Sequence, residues 1–157
     1  MAISTQIVMD TRYKTIAKYL CSASANALVE LIDVSDLIGW QVGTGANVPG
    51  GILNLAKIYW TTASATTPIS IFYADGSSGV LAFIACGSSG TYGYSPGQPA
   101  INPVRAGSLP WAPSGSVGAI TGDMAVTSAS ATFTLVIEYH KISPVVGQQL
   151  GWNGANP

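Results

Sequence analysis

His140 is the only histidine in the chain, and Cys21 and Cys86 are its only thiols, so acid–base and nucleophilic chemistry have few residues to draw on. A general base or nucleophile also needs a partner that orients it. His140 falls on the polar face of an alternating run, which predicts an exposed strand residue and not a catalyst. One histidine and two separated cysteines do not make a tetrahedral zinc set at motif spacing, so no metal is expected. The seven carboxylates are dispersed, with Asp33 and Asp36 the closest pair, and hydrogen bonding in turns and caps accounts for that pair. Asp75-Gly76-Ser77-Ser78-Gly79 lacks the repeated oxygen ligands of a calcium loop. Gly43-Thr44-Gly45 has no following lysine and no strand-to-helix setting, so it is not a phosphate loop. The chain carries no catalytic constellation, and the expectation is a non-enzymatic protein without a cofactor. The four tryptophans, Trp40, Trp60, Trp111 and Trp152, suit sugar stacking in principle. The favoured reading puts Trp40 and Trp60 in the core and Trp111 and Trp152 at a subunit interface, because no Asp, Asn or Arg cluster converges on them.

The elements that carry these residues read as strands: short β-branched and aromatic runs separated by Gly, Pro, Ser and Asn. Residues 131–141 are the clearest. Phe133, Leu135, Ile137 and Tyr139 form an apolar face, and Thr132, Thr134, Glu138 and His140 a polar one. Ile120, Met124 and Val126 alternate with Thr121, Asp123 and Thr127, and the short Ser128-Ala129-Ser130 link predicts that this strand and the last form an antiparallel hairpin. A second hairpin runs from Ile69 to Ala74, through the Asp75-Gly76 turn, to residues 80–86. Residues 80–85 are apolar on both faces, which predicts a strand covered on both sides. Strands are also expected from Tyr13 to Leu20 and from Ile52 to Trp60. Residues 27–40 fit a helix face or a strand face; the favoured reading is a strand to Val34, then a helical turn at Ser35-Asp36-Leu37-Ile38 capped by Ser35 and Asp36. The expected fold is all-β: an antiparallel two-sheet sandwich, jelly-roll-like, with extended N- and C-terminal arms.

Residues 1–12 are expected as an N-terminal arm, 13–143 as the sandwich and 144–157 as a C-terminal arm. A long Gly-, Pro- and Ser-rich loop spans 87–118, with Tyr92, Tyr94 and Trp111 within it. Residues 144–157 hold no charged side chain yet carry Val145, Val146, Leu150 and Trp152, which fits a segment that buries itself against a partner; folding back over its own domain is the competing reading.

Charge is what sets the composition apart. Asp, Glu, Lys and Arg make up 8% of the 157 residues, against an ordinary value of about 25%, while 48% are hydrophobic. Charge depletion is typical of surface buried between subunits. The expected state is a homo-oligomer, with a trimer as the first guess, and interface residues Ile3, Ile7, Trp111, Val145, Val146, Leu150 and Trp152. The six basic residues are scattered, so no nucleic-acid footprint forms. No apolar stretch matches a membrane-spanning helix, and the N-terminus lacks a signal-peptide pattern, so no membrane partner is expected. Both cysteines are expected as free thiols.

A set of spaced hydrophobic and turn residues carries a resemblance. It runs from Val8-Met9-Asp10-Thr11-Arg12 through Leu31-Ile32-Asp33-Val34-Ser35-Asp36-Leu37 and Leu55-Ala56-Lys57-Ile58-Tyr59-Trp60. It continues to Thr121-Gly122-Asp123-Met124-Ala125-Val126-Thr127-Ser128 and closes on Glu138-Tyr139-His140-Lys141. Over roughly residues 8 to 141 the chain resembles small virion structural proteins of tailed bacteriophages, cyanophages among them. The resemblance implies a capsid decoration or cement protein, assembled in the bacterial cytoplasm and carried on the capsid surface. It implies the major capsid protein or other virion proteins as partners. The alternatives are a tail, head-fibre or baseplate subunit, or a glycan-binding attachment protein.

Overall fold

The structure is a computed structural model, and it describes residues 3–22, 25–38, 52–74, 79–93, 123–128 and 132–142. Nine strands appear among them: β1 (Ile3–Asp10), β2 (Lys14–Cys21), β3 (Ala25–Ile32), β4 (Ile52–Thr62), β5 (Ile69–Tyr73), β6 (Val80–Ala85), β7 (Ser89–Tyr92), β8 (Met124–Ser128) and β9 (Phe133–Ile142). A single 3-10 turn, Val34–Asp36, follows β3. The first sheet has the order β1-β2-β9-β4-β7 and the second β3-β8-β5-β6. All pairings are antiparallel, so the chain is an all-β sandwich of two antiparallel sheets. The pairing is nested: β5 with β6, β4 with β7, β3 with β8 and β2 with β9. Lateral pairing of β4 with β9 and of β5 with β8 joins these pairs into sheets.

The two-residue period supplies the core. Phe133, Leu135, Ile137 and Tyr139 of β9 are buried beside Ala17, Tyr19 and Cys21 of β2. Ile69, Ile71, Tyr73, Met124 and Val126 face them from the second sheet. Each large apolar side chain so buried contributes about 1.5–3 kcal/mol. In β4 the inward set changes parity: Leu53 and Leu55 are buried, then Ile58. A bulge at Ala56, where the register to β9 shifts between Leu55 and Lys57, supplies the extra residue. Gly93 sits against that bulge at φ +98, where a Cβ would approach the Ala56 carbonyl oxygen to 2.0 Å. Gly90 is needed for a different reason: it pairs with Trp60, whose ring occupies the space a Cβ would take. Phe83 of the second sheet then packs edge to face on Trp60 and at a tilt of 52° on Tyr92 of the first.

Several expectations change. Within the expected N-terminal arm, 1–12, Ile3–Asp10 is a strand of the sandwich and pairs along its length with β2. Thr5 Oγ1 also donates to the Leu31 carbonyl of β3, which clips β1 to the second sheet. β8 and β9 do not form a hairpin. Their ladders run to β3 and β5 for β8, and to β2 and β4 for β9, so the two strands lie in different sheets. β6 is not covered on both sides; it is an edge strand, with Leu81 and Ile84 exposed. The expected loop 87–118 begins with β7, Ser89–Tyr92, and 94–118 lie outside the described residues. The 3-10 turn is where the sequence predicts one, but Asp33 caps it by accepting from Ser35 N–H.

Candidate assembly surface

At one end of the sandwich Asp10 closes β1 as a hub. Its Oδ1 accepts from Thr15 Oγ1 at 2.7 Å and from Lys141 Nζ at 2.6 Å, and its Oδ2 accepts from Ile38 N–H at 2.7 Å. Lys141 Nζ also donates to the Ile38 carbonyl at 2.7 Å. Lys141 is fully buried, so desolvation lowers its pKa, while the hydrogen bond and charge of Asp10 act in the opposite sense. Removing two charges from water is costly unless each is matched, and here the match ties β1, β9 and the segment after the 3-10 turn into one corner.

Around this buried pair several large apolar side chains are exposed, with Arg12 and Asp36 exposed beside them. Ile7, Val8 and Met9 precede Asp10 and are 43%, 60% and 42% exposed. Ile38, bonded to Asp10, and Tyr13, whose carbonyl accepts from Lys141 N–H, are about 60% exposed. β1 is the outer strand of its sheet, and its only charged residue is the Asp10 already paired. A long edge strand whose one charge is already paired is what soluble proteins ordinarily blunt with lysine or proline.

Of the residues expected at an interface, Ile7 lies in this surface, and Ile3 is half-buried against the core. Trp111, Val145, Val146, Leu150 and Trp152 lie outside the described residues, as does Trp40. Trp60 packs partly buried against the core, its Nε1 donating to the Cys86 carbonyl. Sequence reading missed Val8, Met9, Tyr13 and Ile38. The signal for the first two was present: Ile7-Val8-Met9 breaks the polar alternation of β1 with three apolar residues in a row.

The other chemistry-bearing residues go elsewhere. His140 is on the outer face of β9, half-exposed, 3.5 Å from Glu138, which also pairs with Lys14. The carboxylates are less dispersed than in sequence. Glu30 shares a neighbourhood with Asp123, Asp33 and Asp36, and its pKa is raised by partial burial first and by those charges second. Asp123 accepts from Val34 N–H, so it serves the turn. No group of three His, Cys, Asp or Glu among the described residues is placed to hold a metal. Both cysteines are free; Cys86 is exposed, whereas burial pushes the Cys21 thiol up to about 12. No helix among the described residues is long and apolar enough to cross a membrane. Comparison with family models, curated proteins and solved structures finds no match.

Proposed function

We propose that the chain is a structural subunit of a virus particle, a capsid decoration or cement protein of the tailed-phage type, acting without catalysis. The nested pairing of β2 to β9 supports reading the sandwich as a jelly roll of eight strands with β1 added at one edge. The observation that carries the function is the edge of β1 with Ile7, Val8, Met9, Tyr13 and Ile38 exposed around a buried ion pair. Five large apolar side chains exposed at one end of the sandwich are candidates for burial against a partner, and a chain with 8% charged residues has little to oppose association. In this reading that face meets shell subunits or sister copies, in a homo-oligomer for which a trimer is the expected state. The segment 144–157 adds apolar contact as an arm.

The test is reconstitution. Purified protein is mixed with shells of the major capsid protein, and occupancy is imaged before and after a Val8→Lys/Met9→Lys exchange. The reading expects regular occupancy that the exchange abolishes while the fold, followed by circular dichroism, is kept. Absence of the wild-type protein from shells, or equal occupancy by the variant, overturns it. Light scattering of the free protein gives the oligomer number directly.

A further inference from the structure

The outer face of the first sheet holds a second surface that assembly at β1 does not use. There, two cross-strand rows lie side by side: Thr91, Tyr59 and Val136, and next to them Ser89, Thr61 and Thr134. Together they line an open hollow of about 300 Å³. A second hollow of about 230 Å³ continues from it, sharing Thr61 and Thr134 and adding Leu20, Thr62 and Thr132. No charged side chain lines either. The hydroxyls of Thr61, Ser89, Thr91 and Thr134 have no hydrogen-bond partner among the described residues, so each is free to donate and accept. The Tyr59 ring is 42% exposed, and Lys57 Nζ sits 4.8 Å from its centroid while remaining outside the lining of the hollow. That cation–π contact holds the ring in place.

We infer that this hollow is a binding site for a short neutral saccharide, stacked on Tyr59 and hydrogen-bonded by the threonine and serine hydroxyls. The lining selects the class. The lining itself offers hydroxyls and no charge, which suits a neutral polar ligand, and a purely aliphatic one would strip water from four hydroxyls and return nothing. An extended peptide recognised through its backbone would add along the free edge of β7, beside the hollow, whereas the hydroxyls and the Tyr59 ring lie on the sheet face. A sugar ring offers an apolar C–H face for the aromatic ring and an equatorial rim of hydroxyls for the row beside it. The volume is at the low end of small-ligand sites, about 300–1,000 Å³, so the ligand is short and the affinity modest, with Kd on the order of 0.1–1 mM.

The experiment is a two-dimensional amide NMR titration of the full chain with maltohexaose, cellohexaose, chitohexaose and mannohexaose, with an oligogalacturonate as the charged control. The expected result is saturable shifts at Thr61, Ser89, Thr91 and Thr134 with at least one neutral sugar and none with the control. Tyr59→Ala should weaken that binding about tenfold. Thr61→Val/Thr134→Val, which keeps two β-branched residues in the sheet, should weaken it with the fold intact, and it decides the matter if Tyr59→Ala does not fold. Four results overturn the inference: no saturable shift with any neutral sugar, binding that survives both variants, shifts centred on another face, or protection of these amides from a soluble paramagnetic agent in the free protein, which would mean that the chain itself fills the hollow.

Discussion

At the centre of the core Tyr19 and Tyr139 share one hydrogen bond of 2.9 Å between neutral hydroxyls, whereas at the β1 end Lys141 and Asp10 bring opposite charges to 2.6 Å. The tyrosines belong to β2 and β9, the middle of the first sheet, and Tyr73 joins them from β5 beside the Leu55 backbone. Neutral phenols are the cheaper polar groups to enclose, and their mutual bond gives each oxygen a partner. The ion pair instead sits where β1, β9 and the Ile38 segment meet, and it holds an edge strand whose outer side chains are mostly exposed. The middle of the molecule is stabilised by packing; its corner depends on charge.

Alkaline titration draws the largest difference between the two. Burial raises the pKa of Tyr19, Tyr73 and Tyr139 above the ordinary value of 10.0 and that of Cys21 from 9.0 to about 12. These acids stay protonated in the fold while the unfolded chain releases its protons, so stability is intact below about pH 9 and falls as pH rises beyond it. The loss is on the order of 1 kcal/mol per group and pH unit. Lys141 works in the other direction: its folded pKa is lowered from 10.5, so it adds stability as pH rises towards that value, one group against four. Net alkaline unfolding is expected, read by urea melts at stepped pH. A midpoint unchanged between pH 9 and 11 would contradict buried phenols.

Lys141→Met comes next. Asp10 keeps its charge and loses its buried partner, at a cost of about 3–5 kcal/mol in chemical denaturation. Asp10→Asn/Lys141→Met should recover much of it. Similar losses in the single and double variants would mean that the ammonium, not the pairing, holds the corner.

Tyr139→Phe is milder, about 1–2 kcal/mol, because it strands one hydroxyl on Tyr19. Tyr19→Phe/Tyr139→Phe should cost no more than the single change, and a double-mutant cycle measures the coupling. The smallest effect belongs to the outer face. Glu138→Gln loosens the 3.5 Å contacts to Lys14 and His140, two half-exposed partners, and should shift stability by less than about 0.5 kcal/mol in the same assay.

The sequence by itself determined which side of each regular strand is buried. The alternation of Phe133, Leu135, Ile137 and Tyr139 follows from the two-residue period of an extended chain, and all four are in the core. It also showed an all-β chain poor in charge, and a turn after β3 near Ser35-Asp36. It did not reveal that β8 and β9 lie in different sheets, because alternation reports a face and says nothing about which distant strand completes the ladder. Tertiary pairing decided that β6, apolar on both faces, ends a sheet with Leu81 and Ile84 exposed. It decided as well that Lys141 is buried, since the acceptor that makes this possible comes from Asp10, 131 positions away along the chain. The row of hydroxyls beside Tyr59 has the same origin: Ser89, Thr61 and Thr134 become neighbours only when β7, β4 and β9 align in register.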